Sequence, residues 1–311
     1  MQVAIIGRGE VLYDTAMLLY NSGFEIPLII TSKAAPEYLK TEKDFEYLAN
    51  KINAKFLYTA KINSTEYIEQ IKLCGKIDIA VSINYSGVIA SNIINMFPNG
   101  ILNAHGGDLP KYRGNACQAW AILNGERKIG LCIHKMIGGE LDSGPIISKN
   151  YMDVTDNTRV GEVYEWIHKV TPKMIFDSIN QLNNNSNYYV ELQSINPKDA
   201  LRCYPRKPED GRINWDKSSL GILRLINASS EPFSGAYCFL DDKICKIWRA
   251  ELYDDTENYC AINGQVAKLN TDFSIIVITG QGKLLLKEIE YEGIRTNKPA
   301  EIVKSIRKRF K

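Results

Sequence analysis

The chain has 311 residues with 45% apolar side chains, enough for a buried core and for one large or two ordinary domains. Lys and Arg number 38 against 36 acidic residues, a net charge of +2 that excludes a global pull toward nucleic acid or anionic lipid. No apolar run approaches the roughly 18 residues that span a bilayer, and the seven cysteines are scattered without a CxxC pair, as expected of reduced thiols in a cytoplasmic protein.

Val3-Ala4-Ile5-Ile6 followed by Gly7-Arg8-Gly9 predicts a buried first strand and a turn, not a signal peptide. A helix follows, with Leu12, Ala16, Leu18 and Leu19 apolar, and stops at Ser22-Gly23. Apolar runs at 26–30, 55–57, 77–81 and 100–103 predict further strands, with a helix over 45–52 between the first two. Continuous rather than alternating apolar strands indicate a parallel sheet covered on both faces. Strands are also predicted at 131–136 and 144–147, then a helix over 159–182 that ends in a loop at 183–187. Past about residue 200 the texture changes to short strands at 233–240, 244–252, 264–269, 274–279 and 283–289, separated by turn residues. The reading is a doubly wound, mostly parallel α/β domain over 1–200 and a small barrel-like β domain over 201–311. The basic end of the chain, residues 304–311, reads as a solvated helix end.

Polar groups concentrate in two places. Asn103 and His105 stand two apart at the end of an apolar strand, so both side chains project to one side. They do so at the carboxyl end of a parallel strand, where ligands bind in such sheets. Asp142 follows the next strand and lies between glycines, within Gly138-Gly139-Glu140-Leu141-Asp142-Ser143-Gly144. The three suit acyl transfer to an amine. Asn103 can donate to a carbonyl oxygen as charge develops, His105 can take or hold a proton near neutrality, and Asp142 can orient the imidazole or accept a proton through water. Each also has a plainer explanation: a turn-forming Asn, a satisfied His, a loop Asp. His134 and His168, without such company, read as structural.

The wider pattern chooses between these. Asn103-Ala104-His105, Leu109-Pro110-Lys111-Tyr112-Arg113-Gly114, Trp120-Ala121-Ile122-Leu123-Asn124-Gly125-Glu126 and Leu141-Asp142-Ser143-Gly144-Pro145-Ile146 together resemble the 10-formyltetrahydrofolate-dependent formyltransferase family. Arg206-Lys207-Pro208-Glu209-Asp210-Gly211-Arg212-Ile213-Asn214-Trp215 and Pro232-Phe233-Ser234-Gly235-Ala236-Tyr237 resemble the C-terminal domain of its methionyl-tRNA and sugar-modifying branches. The resemblance implies Asn103, His105 and Asp142 as the catalytic trio. It implies a donor pocket with Ser82, Asn84, Tyr85, Ser86 and Ile89 on one side and Gly139, Glu140 and Leu141 on the other, partly through backbone groups. Ordinary packing is the plainer reading of Tyr85 and Ile89. It implies 10-formyltetrahydrofolate as the formyl donor, and no metal is expected.

One departure concerns the acceptor: most members of the resembled family carry a small residue and then Ser-Leu-Leu after the histidine, where this chain has Gly106-Gly107-Asp108-Leu109. Asp108 either contacts the amine-bearing substrate or caps the next turn. Tyr112 and Arg113 are candidates for holding the acceptor. Arg8 either meets a diphosphate at the helix start or is a solvated turn residue. Residues 31–40 lack the Gly-rich basic insertion typical of the tRNA branch, and a tRNA enzyme is expected to show a broad positive footprint. The preferred acceptor is therefore the amine of a nucleotide-linked amino sugar, with methionyl-tRNA as the alternative. A dinucleotide oxidoreductase is disfavoured because Leu12 replaces the third glycine of GxGxxG. A dead binding protein is disfavoured because all three polar groups are present, and a hydrolase releasing formate stays a minor rival. The role of the C-terminal domain is open between contacting substrate, forming a homodimer and bracing the first domain.

Overall fold

The computed structural model describes residues 1–184, 188–254 and 256–311. Its packing divides the chain into two units, residues 1–114, 130–152 and 165–203, and residues 115–129, 153–164 and 204–311. This differs from a single cut at residue 200, because two excursions of the first half belong with the second unit. Asp156 in one of them accepts from Arg127 and Arg224.

The first unit opens with β1 (Gln2–Gly7), α1 (Glu10–Asn21), β2 (Glu25–Thr31), α2 (Glu42–Ile52) and β3 (Lys55–Tyr58). It continues with α3 (Thr65–Lys72), β4 (Ile79–Ile83), α4 (Ser91–Ile94), β5 (Ile101–His105) and the two-residue β6 (Arg113–Gly114). The chain then passes through α5 (Cys117–Asn124), which belongs to the second unit, and returns with β7 (Lys128–Lys135), β8 (Ile146–Asp153), α6 (Val160–Asn184), whose first turn also belongs to the second unit, and β9 (Arg202–Cys203). Asn183 and Asn184, expected in a loop, complete α6, and the rest of that loop, residues 185–187, lies outside the described residues.

The main sheet runs β3-β2-β1-β4-β5-β7-β8. The β2–β3, β1–β2, β1–β4 and β4–β5 pairs are parallel and β5–β7 is antiparallel. The apolar runs are continuous because both faces are covered. Ile5, Ile29, Val81 and Leu102 join a core with Leu12, Leu19, Phe45 and Ile179, whereas Ile6, Leu28, Ile30 and Ile101 join another with Ile71, Ile93 and Phe97. The order reverses between β1 and β4, so loops diverge beyond their carboxyl ends and leave a crevice. Beside it, β5 ends in His105.

In the second unit α7 (Ser219–Ser229) precedes β10 (Ala236–Leu240), β11 (Lys243–Tyr253), β12 (Val266–Leu269), β13 (Ile275–Ile278), β14 (Lys283–Tyr291), β15 (Ile294–Thr296) and α8 (Pro299–Val303). The strands form an antiparallel sheet in the order β10-β11-β14-β13-β12, with β15 on β14. Ile222, Leu223 and Ile226 of α7 pack into its core. The basic end is not a solvated helix end. Backbone bonds tie Phe239 to Lys311 on one edge, and Val266 and Gly264 to Lys308 and Phe310 on the other. The tail thereby bridges both sheet edges and removes unpaired strand groups. Gly264 has φ 84°, and a Cβ there would lie 2.1 Å from the Phe310 carbonyl oxygen, so this contact requires glycine. Lys308 and Lys311 pair with Asp241 and Asp242. Among the described residues no helix is long and apolar enough to cross a membrane.

Phe310 is 1% exposed and its ring centroid lies 5.6 Å from that of Trp215. Phe310→Ala is expected to destabilise the second unit by about 3–5 kcal/mol, the usual loss for a buried aromatic. Urea unfolding followed by tryptophan fluorescence measures this. A loss under about 1 kcal/mol would show that the tail is not part of the core.

Candidate active site

In the β5–β7 register Asn103 stands opposite His134, and His105 opposite Cys132. Directly opposed residues of an antiparallel pair share a face. Asn103 and His105 thus meet a second imidazole, that of His134, whose sequence context alone reads as structural. Asn103 Nδ2 lies 3.0 Å from His134 Nε2, and His134 Nδ1 lies 3.0 Å from the Lys135 carbonyl oxygen. A carbonyl only accepts, so Nδ1 carries the hydrogen and Nε2 of the neutral ring accepts from Asn103. One amide hydrogen of Asn103 is fixed this way, and the carboxamide plane with it.

His105 is 7% exposed. Its Nε2 donates to the Tyr112 carbonyl at 2.6 Å, and its Nδ1 lies 3.5 Å from Asp142 Oδ2. Tyr112 reaches this position with φ 57°. Gly107 makes room for the contact, since a Cβ there would stand 2.4 Å from the Tyr112 oxygen and 2.7 Å from His105 Nε2. Glycine at position 107 therefore has a steric reason in this chain.

Asp142 is buried and adopts the left-handed conformation, φ 53°, which Asp tolerates better than most residues. Its turn is tight: a Cβ on Gly144 would fall 1.8 Å from the Lys135 oxygen. Oδ2 accepts the Gly114 backbone N–H at 2.9 Å, and Oδ1 lies 3.5 Å from His134 Nε2. Burial pushes the Asp142 carboxyl up. His134 and His105, whenever either ring takes up a further proton, and the Gly114 amide oppose it and hold the group below the usual carboxylate range. For His105 burial dominates and lowers its basicity, while Asp142 and the Tyr112 carbonyl pull it partway back. The resting pair is an ionised carboxylate beside a neutral imidazole, with Nδ1 as the atom able to take a proton.

The residues named for the donor pocket fall on two stretches that meet. Gly138 packs on Ser91 at the start of α4, where a Cβ would stand 1.9 Å from the serine oxygen. Ser82 lies buried in β4, paired in register with Asn103. Asn84 has φ 54° and presents its carbonyl to Arg8. Ser86 bonds Ser32. Tyr85 donates to the Thr59 carbonyl and accepts from the Ile62 N–H, and Ile89 is 3% exposed in the core, so both side chains serve packing. Glu140 and Leu141 are exposed, and Gly139 has open space around it.

The residues named for the acceptor all have partners within the protein. Arg8 donates to the Asn84 and Lys33 carbonyls and lies 5.6 Å over the Tyr38 ring. Asp108 accepts from the Tyr151 hydroxyl at 2.9 Å rather than capping a turn. Tyr112 is buried, contributing its carbonyl. Arg113 donates through Nε and Nη2 to Gln193 Oε1. Sequence reading missed His134, the Gly114 N–H and Gln193. The first is found only once β7 is known to run antiparallel to β5, and the other two carry no local signal. Among the described residues no group of three or more His, Cys, Asp or Glu side chains is arranged to hold a metal.

Residues 1–179 match the formyl transferase family, and residues 206–307 match the formyl transferase C-terminal domain. A methionyl-tRNA formyltransferase of Ruminiclostridium cellulolyticum is 24% identical over 314 residues, covering 98% of this chain and 96% of its own. WlaRD, a sugar 3N-formyl transferase solved in the presence of dTDP and 5-N-formyl-THF, is 20% identical with a TM-score of 0.66, covering 94% of this chain and 98% of its own. The N-formyltransferase of Helicobacter canadensis, in complex with folinic acid and dTDP-3-aminofucose, is 16% identical with a TM-score of 0.64, covering 92% and 97%. At these identities the structural likeness speaks for the fold.

Folding lowers both His105 and Asp142 from their ordinary values of 6.5 and 3.8. The unfolded chain therefore binds more protons below those values, and stability falls as pH drops. The His105 part is complete above 6.5 and is lost as pH falls toward its lowered folded value; the Asp142 part is lost only below 3.8. Urea midpoints measured from about pH 7.5 to about pH 5.5 should decline, and His105→Gln should flatten that decline. An unchanged slope in the variant would assign the dependence to another group.

Proposed function

The chain belongs to the formyl transferase family, and on that premise we propose that it moves a formyl group from 10-formyltetrahydrofolate to the amine of a nucleotide-linked amino sugar. That it is an enzyme transferring formyl groups follows from the family and its named relatives. The choice of donor and acceptor is our reading.

The amine attacks the formyl carbon, and the carbonyl oxygen gains negative charge. Asn103, its plane fixed by His134, donates to that oxygen. The amine must lose a proton, and His105 Nδ1 beside the ionised Asp142 is the place that receives it, directly or through a water. As the bond from the formyl carbon to the folate nitrogen breaks, the same proton returns to that nitrogen. No covalent enzyme intermediate is needed, because the nucleophile is the substrate's own amine.

The observation that carries the amino-sugar reading is the loop between β2 and α2. It is compact and internally bonded: Arg8 holds the Lys33 carbonyl, Glu42 accepts the Ala34 N–H, and Lys40 pairs with Asp44. It offers no basic arm for an acceptor stem. The net charge of +2 also gives little of the phosphate attraction that RNA binding relies on. The nucleotide and amino sugar of the Helicobacter canadensis complex support the same acceptor class. Methionyl-tRNA is the second reading, favoured by a relative of that name over nearly the full length.

Supplying 10-formyltetrahydrofolate with a panel of nucleotide-linked amino sugars, or with charged initiator tRNA, separates the two. Formylated sugar is the expected product; formylation of the tRNA alone would overturn the reading. Asn103→Ala, His105→Ala and Asp142→Ala should each lower turnover by about 10²-fold or more. Near-full activity in all three would remove them from the chemistry.

A further inference from the structure

We propose that Gln193 is a positioning residue, a clamp that holds the Asp142 turn and Arg113 in one register. The proposal rests on the reading of Asp142 as a member of the acid–base pair, although its geometry stands apart from it.

Gln193 lies on the segment that follows α6 and precedes β9. Its Nε2 donates to the Asp142 carbonyl at 2.8 Å and to the Gly144 carbonyl at 2.7 Å. Its Oε1 accepts from Arg113 Nε at 3.1 Å and Nη2 at 2.6 Å. A primary amide offers two N–H hydrogens and two lone pairs, and all four are used by the protein. Such a side chain has no capacity left for a substrate, so its contribution is placement.

The segment is itself anchored on both sides of Gln193. Glu191 exchanges two backbone bonds with Ile146, at 2.9 and 2.8 Å. Further on, the Arg113 N–H donates to the Leu201 carbonyl, and β9 pairs with β6. The amide is thus delivered at a fixed place between β8 and β6. There it grips the two carbonyls that flank Ser143, in the turn where Asp142 is held at positive φ. Gly114, next to Arg113, supplies the N–H on the Asp142 carboxylate. One side chain therefore spans both strands of chain that define where the carboxylate sits. Its two N–H groups make the bonds that fix the Asp142 and Gly144 carbonyls, so their loss frees the peptides on either side of Ser143 to rotate and carry the carboxylate off His105 and His134.

The test reads Asp142 through its neighbour. The titratable and charged groups acting on His105 are Asp142, His134 and Arg113. Asp142 raises its basicity, so displacing the carboxylate lowers it. Imidazole titration by NMR on the intact protein, without ligands, should show His105 in Gln193→Met moved to lower pH by at least about 0.5. Gln193→Glu keeps an acceptor for Arg113 while setting oxygen against two carbonyls, and should displace the turn as well; loss of the Gly114 amide resonance's dependence on Asp142 reports that. In an Asp142→Asn background Gln193→Met should add little further shift, because its route to His105 is gone. A shift of equal size in both backgrounds, or none in either, overturns the clamp; the equal shift would place the effect on Arg113 alone. Should Asp142→Asn keep full turnover while the titration cycle behaves as expected, the acid–base reading fails and the clamp stands.

Discussion

The site depends on keeping one carboxylate ionised inside the protein. Removing an ion from water costs several kcal/mol unless neighbours replace the hydration. Asp142 draws its neighbours from separate parts of the first unit: the Gly114 amide of β6 donates to it at rest, and His105 at the end of β5 and His134 of β7 lie 3.5 Å away, each able to balance its charge once protonated. Its backbone is in turn gripped by Gln193. A local change in any of these elements leaves a buried charge short of partners, so the stability of the unit and the geometry of the site are the same problem.

The two imidazoles answer different needs. His134 has both nitrogens committed, one to a backbone carbonyl and one to Asn103, and so acts as a fixed strut that orients a donor. His105 has one nitrogen committed to the Tyr112 carbonyl and the other turned toward a carboxylate 3.5 Å away. Burial keeps it neutral at rest, while the carboxylate makes the protonated ring bearable when a proton arrives. A histidine in that balance can accept and return a proton within one turnover. The Tyr112 carbonyl, which only accepts, holds the hydrogen on Nε2 and so leaves Nδ1 as the nitrogen that does so.

Much of this was legible in the sequence, for a physical reason. Continuous apolar runs such as Val3-Ala4-Ile5-Ile6 report a sheet buried on both faces, and i, i+2 spacing places Asn103 and His105 together whatever the rest does. Their meeting with Asp142 was readable only through the family pattern. His134 was hidden because its role depends on strand register, and Gln193 because a lone glutamine in an irregular segment looks like any other. The tail was misread for a similar reason. Its charges suggested solvent, but Phe310 and the backbone decide its place, and two of its lysines turn outward to nearby aspartates.

The partners found for Arg8 and Arg113 bear on acceptor choice. A guanidinium carries five N–H groups in a rigid plane. Arg8 gives two to carbonyls, and Arg113 gives two to Gln193. Holding an arginine in this way does not remove it from recognition. It fixes the plane before a ligand arrives, so less rotamer freedom is lost on binding. A small, rigid acceptor gains from fixed planes, because its few polar groups must meet them in one orientation. A long flexible polyanion gains more from mobile charges spread over a surface, which track many phosphates and release their counterions. Arg8 and Arg113, each with its plane held by the protein, are groups of the first kind.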